Sequence, residues 1–108
     1  MSNFSAVDEK SFETEVVQAS KPVFVEFGAT WCAPCKMLEP VLIQYAQELG
    51  DKARLVKVDV DQSPELTERF GVMGVPTLIL FKGGQPVERN TGYIPKNKII
   101  ERYGKHLE

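Results

Sequence analysis

The order of apolar and polar positions divides the chain into two kinds of segment. "PVFVEF" (22–27) and "ARLVKVDV" (53–60) are short and apolar at nearly consecutive positions, which predicts strands buried on both faces of a parallel sheet. A charge interrupts the middle of each, Glu26 in the first and Lys57 in the second, which also carries Arg54 and Asp59 toward its ends. Other segments repeat at helical spacing. "DEKSFETEVVQAS" reads as a helix with Asp8 as its cap and Phe12, Val16 and Val17 on one stripe. From Pro34 to Leu49 a second helix places Met37, Leu38, Val41, Leu42, Tyr45, Ala46 and Leu49 on one side; Pro40 should kink it and Gly50 should end it.

"SPELTERF" opens with Ser63 as the expected N-cap and Pro64 in the first turn, and Gly71 closes the short helix. "TLILFKGGQPVERNTGY" is a hairpin turning at Gly83-Gly84. "PKNKIIERYGKHL" is a final helix with Ile99, Ile100 and Tyr103 expected inward. With a short first strand near Phe4 to Val7, a βαβ unit followed by a hairpin and a closing helix predicts an α/β fold. Its central sheet is mixed parallel and antiparallel, with helices on both faces.

Composition narrows the class. A chain of 108 residues is expected to form a single domain, 1–108, with one core. Hydrophobic residues at 43% and charged residues at 26% match a soluble globular protein rather than a disordered one. A formal net charge of -2 lacks the basic footprint of a nucleic-acid binder. No apolar run approaches the roughly 18 residues a membrane span needs. "MSNFSAVDEK" lacks the basic flank and apolar stretch of a signal peptide, so a cytoplasmic protein is expected.

Two cysteines are too few for a disulfide framework, and both lie in "TWCAPCK". A Cys-x-x-Cys pair at a helix start holds both sulfurs within one turn. Cys32 precedes the helix, where free N–H groups and the dipole stabilise a thiolate, so it is the natural nucleophile. Cys35, in the first turn, can point inward and act as the resolving thiol. Pro34 fits between them because its missing N–H would be unpaired there. Three other readings stand beside this one. A structural staple closing so short a loop gives only about 2 kcal/mol on a chain-entropy model. A closed zinc site fails within the chain, since the only histidine, His106, lies near the chain's end, although a site shared between two chains remains open. Two inert core cysteines are the third.

"FGATWCAPCKMLEP", followed by "VDVDQ", "GVPTLILFKGG" and "TGY", resembles the thioredoxin family over essentially the whole chain. The resemblance implies the thioredoxin fold, a redox-active Cys32–Cys35 disulfide and reduction of disulfides in other proteins. It also implies a cis Val75–Pro76 bond placing Pro76 against the sulfurs, with the backbone of Val75 left to pair with an extended substrate. Gly74 and Gly92 would let backbone approach closely, and Trp31, Ala33, Pro34 and Tyr93 would complete the rim that meets substrates. The chain departs from the family's usual pattern at Ala33, Gly28, Met73 and Tyr93. With Trp31, these changes should make the rim more apolar.

No Gly-rich dinucleotide fingerprint is present, so no nicotinamide, flavin or other cofactor is expected. Electrons should come from another protein, a thioredoxin reductase, to a monomeric carrier acting on disulfide-containing target proteins. The alternatives are an oxidant or isomerase of exported proteins and a redox-gated binding module. Glu26 and Lys57 carry opposite charges on two central strands. If the strands are neighbours, the two meet beneath the cysteines, where neither would be tolerated alone. The family usually has an aspartate at position 26, acting as base toward the buried cysteine with a lysine beside it. The resemblance therefore implies Glu26 as base and Lys57 as its partner. A purely structural ion pair, or a Glu26 side chain turned to solvent, are the competing readings. Burial should raise the Glu26 pKa and Lys57 should oppose the rise.

Overall fold

The computed structural model describes residues 4–108. Phe4–Ala6 (β1), Val23–Gly28 (β2), Arg54–Asp59 (β3), Thr77–Lys82 (β4) and Gln85–Thr91 (β5) form one sheet in the order β1-β3-β2-β4-β5. The first three strands are mutually parallel, β4 runs antiparallel to β2, and β5 antiparallel to β4. β2 is paired along both edges and every one of its residues is buried, which accounts for an apolar run whose one charged residue is Glu26.

Alternation along β2 sends its side chains to two separate cores. Phe24 joins Leu38, Leu42, Tyr45, Ile99 and Tyr103, contributed by helices Ala33–Leu49 (α1) and Lys96–Tyr103 (α3). Its ring lies 5.8 Å from that of Tyr45 and 5.7 Å from that of Tyr103, between centroids. Val23, Val25 and Phe27 face Phe12, Val16 and Leu66 on the other side, the last from Pro64–Arg69 (α2). Glu26 and Gly28 share the parity of Phe24, so both lie on the α1 side.

α1 begins immediately after Cys32, its N-cap, and Pro34 lies in its first turn. The buried stripe is Cys35, Leu38, Leu42, Tyr45 and Ala46. Met37, grouped with that stripe by spacing, is exposed instead. Pro40 sits on the solvent side, so the hydrogen bond it removes falls where water can replace it, and the helix continues to Leu49. Gly50, at φ 59°, ends it.

Three local expectations change. The first helix is only one π-helical turn, Glu13–Val17, preceded by a turn in which Asp8 accepts from the N–H groups of Lys10 and Ser11 at 2.9 and 3.0 Å. So short a segment is held by packing rather than propensity: Phe12 is buried against Phe70 and Phe81, at 5.3 and 5.5 Å. Ser63 occupies the N-cap of α2, but its buried hydroxyl has no hydrogen-bond partner among the described residues. Glu9 takes over the capping, accepting from the Glu65 N–H at 2.6 Å. Ile100 faces solvent, because α3 turns Ile99 and Tyr103, four apart, toward the sheet. The Gly83-Gly84 turn is as expected, with φ of 60° and 79° suiting the twist of a two-residue hairpin.

Candidate active site

The carboxyl end of β2, the start of α1 and the segment entering β4 come together at one end of the sheet. Phe27 is paired with Thr77, so Val75 and Pro76 run on beside the turn that leads to Cys32. The Val75–Pro76 bond is cis, as the resemblance implied. Side chain and backbone hold this segment from below: Thr77 Oγ1 donates to the Gly74 carbonyl at 2.7 Å and lies 3.1 Å from Thr91 Oγ1. The Gly92 N–H donates to the Pro76 carbonyl at 2.7 Å, with Gly92 at φ 97°. Among the described residues no backbone hydrogen bond involves Val75.

Cys32 and Cys35 form a disulfide across a Cα separation of 5.3 Å. Cys32 has extended backbone, and its sulfur accepts from the Cys35 N–H at 3.2 Å. A free amide of the first helical turn is thus aimed at the sulfur that precedes it. The contrast in access is narrower than the sequence suggests: Cys32 keeps 4% of its surface and Cys35 none. Around them Ala33 and Pro34 are exposed. Trp31 is 67% exposed, and its indole N–H donates to Asp61 at 2.8 Å. Met73 is 98% exposed and Tyr93 46%, so both present apolar surface to solvent.

Glu26 does not turn to solvent. It is completely buried, and neither carboxyl oxygen has a hydrogen-bond partner among the described residues. Lys57 is its register partner on β3, yet the two form no ion pair within the described residues. The ammonium stands 5.2 Å from the centre of the Phe4 ring on β1, beyond ion-pair reach of the carboxyl. The expected close pair is therefore corrected to two neighbours at a distance. Burial pushes the Glu26 carboxyl up to about 8, with Glu39 adding to the rise and Lys57 opposing it. Glu26 itself lines a cleft of about 490 Å³, together with Gly28, Lys36, Glu39, Lys57 and Asp59 among others.

Glu39 and Asp61 were not singled out by sequence reasoning. Glu39 lies four residues beyond Cys35, one helical turn on, so knowing which face of α1 covers Glu26 would have found it. Asp61 follows β3, and its approach to Trp31 is legible only once β2 and β3 are known to be adjacent. Among the described residues no group of three or more His, Cys, Asp or Glu is placed to hold a metal ion. No described helix is long and apolar enough to cross a membrane.

Comparison with known proteins gives a single answer. The family model "Thioredoxin" matches residues 3–105. The chain is 40% identical to thioredoxin 1 of Synechococcus elongatus over 107 residues, covering 99% of this chain and 100% of that protein. It is 43% identical to the thioredoxin of Bacillus subtilis over 99 residues, 92% and 93% of the two chains. Identity to the thioredoxin of Mycobacterium bovis is 51% over 94 residues, 87% of this chain and 81% of that one. A mixed five-stranded sheet with a Cys-x-x-Cys disulfide at the head of α1 is what such relatives lead one to expect. The protein belongs to the thioredoxin family and is a protein thiol–disulfide oxidoreductase.

Proposed function

We propose that the protein is a monomeric, cytoplasmic electron carrier that reduces disulfides in target proteins and is returned to its dithiol form by a thioredoxin reductase. Family membership carries disulfide-containing substrates and a reductase in general. The direction of flow, the compartment and the residue roles are our reading. The observation that carries the roles is the Cys35 N–H aimed at the Cys32 sulfur, which favours negative charge on that atom.

In this reading the Cys32 thiolate attacks one sulfur of a target disulfide. The S–S bond breaks, the departing sulfur takes a proton, and a mixed disulfide joins Cys32 to the target. Glu26 then accepts the proton of the Cys35 thiol, and the Cys35 sulfur displaces the target's remaining sulfur from Cys32. That sulfur leaves as a thiol, and the two electrons it and its partner gained are lost by Cys32 and Cys35 as their disulfide forms. A carboxyl titrating near 8 is matched to a base working close to neutral pH. The unpaired backbone of Val75 would bond an extended target segment, held between Trp31, Ala33 and Pro34 on one side and Gly74, Pro76, Gly92 and Tyr93 on the other.

The test is reduction of insulin with dithiothreitol as electron donor. Wild type should turn over, Cys32→Ser should be inactive, and Cys35→Ser should accumulate mixed disulfides through Cys32. Target binding without turnover would make the protein a redox-gated binding module instead. Preferential alkylation of Cys35 in the reduced protein would overturn the assignment of roles.

A further inference from the structure

We propose that Gly28 is a positioning residue for the resolution step: the side chain it lacks leaves the space in which the Glu26 carboxyl stands beside the Cys35 sulfur. The inference rests on the reading of Glu26 as the base. Gly28 ends β2, paired with Asp59, and is buried. It is not among the glycines with positive φ, so its backbone would accept any residue. Glycine in a strand is unfavourable by roughly 0.5–1 kcal/mol relative to alanine, and where the backbone does not require it, it marks a close approach.

The approach is specific. A Cβ at position 28 would stand 2.8 Å from Glu26 Oε2, 3.3 Å from Glu26 Cδ and 3.3 Å from Cys35 Sγ. Its three nearest atoms thus belong to the proposed base and the sulfur that base would serve. Residues 26 and 28 share a strand face, so the clash follows from the pleat and cannot be relieved by turning one side chain to the other side of the sheet. The Cys35 sulfur sits on a short side chain in the first turn of α1, leaving the carboxyl, at the end of a longer and more flexible one, as the group that must move. Glu26 already lines the cleft of about 490 Å³, so a carboxyl pushed off the added methyl would swing further into it. There the carboxyl would meet Lys57 and Asp59 from β3 and Lys36 and Glu39 from α1, and it would leave Cys35. Leu78, its partner on β4, carries no charge.

Single-turnover reaction of the reduced full chain with an aromatic disulfide tests this, since one coloured thiolate is released on attack by Cys32 and a second on resolution by Cys35. The variants are Gly28→Ala, Glu26→Asp, the double variant and Glu26→Gln, each followed across pH. Gly28→Ala should slow the second phase about a hundredfold, at the low end of what general base catalysis supplies. It should also move the inflection of that phase to lower pH, as the carboxyl gains solvent and nearby lysines. Glu26→Asp in the same chain should restore most of the rate, because the shorter acid clears the added methyl. A wild-type second phase in Gly28→Ala, or a double variant no faster than Gly28→Ala, overturns the proposal. If Glu26→Gln resolves at the wild-type rate, the base itself is wrong; if Glu26→Gln is slow and Gly28→Ala is not, only the role of Gly28 falls. Should Gly28→Ala fail to fold, recovery of folding by Glu26→Asp supports the steric coupling, and an unfolded double variant refutes it.

Discussion

Replacing Glu26 by glutamine removes a titration that weighs on the folded chain alone. The carboxyl moves from an ordinary value of 4.5 to about 8 on folding, chiefly because it is buried. Between these two pH values the folded chain holds a proton that the unfolded chain has lost, so stability falls as pH rises. Below the lower value both states are protonated and nothing is lost; above the upper value both are ionised and the loss is complete. At about 1.4 kcal/mol per pH unit, the full loss is about 5 kcal/mol. Glutamine has no such slope. Its amide inherits a site where both carboxyl oxygens already lack partners, and brings one more donor, at about 1–3 kcal/mol for each bond left unmade. Near pH 4.5 Glu26→Gln should therefore fall about 2 kcal/mol below wild type. Near pH 9 it should be more stable, by about 3 kcal/mol. Urea midpoints of the oxidised proteins across this range provide the assay, and with m of about 1–3 kcal/mol/M the gap at high pH should be of order 1–3 M. Every other titrating group is common to both proteins, so the difference isolates residue 26. Parallel midpoint curves would refute the reasoning.

Two further outcomes concern parts of the fold away from the disulfide. Gly84→Ala should destabilise by about 2 kcal/mol or more, because position 84 holds φ 79° and an added Cβ would lie 2.7 Å from the Val17 carbonyl oxygen; thermal melts would show it, with insulin reduction unchanged. Arg102→Ala should cost about 2 kcal/mol, since its guanidinium donates to Asn90, Glu88 and the Arg89 carbonyl at 2.7, 2.8 and 2.7 Å and ties α3 to β5. Arg102 also holds the Glu88 carboxyl below its usual range. The difference between wild type and Arg102→Ala should therefore shrink in acid, as Glu88 is protonated in the folded wild type.

The strands and the disulfide were legible because each rests on local information. Apolar runs mark β2, buried throughout, and β3, buried at Leu55, Val56 and Val58 but only partly at Arg54, Lys57 and Asp59, and Cys-Ala-Pro-Cys before a helical repeat places both sulfurs within one turn. Even the two opposite charges on neighbouring strands could be read. What could not be read depends on residues distant in sequence. Lys57 departs from Glu26 because β1 lies on its far edge and offers the Phe4 ring. Ser63 loses its capping role to Glu9, which is 56 residues from the amide it caps. Met37 and Ile100 are apolar at plausible spacings, and only the docking angle of each helix decides that they face water. Gly28 stands out in the sequence as a departure, but its meaning depends on where the Glu26 oxygens end up.

The edge at Gly74 to Pro76 has a consequence for how target choice could change. Its shape is set by the Thr77 hydroxyl beneath Gly74 and by the Gly92 amide on the Pro76 carbonyl, none of which involves a rim side chain. Met73 and Tyr93 are hung on that frame from outside, and Met73 is in contact with almost nothing else. If targets bind as proposed, the cradle for their main chain and the surface that reads their side chains are separable parts. On that reading, substitutions at 73 and 93 would retune partner preference, toward charge or away from it, while the backbone at Val75 stays where it is.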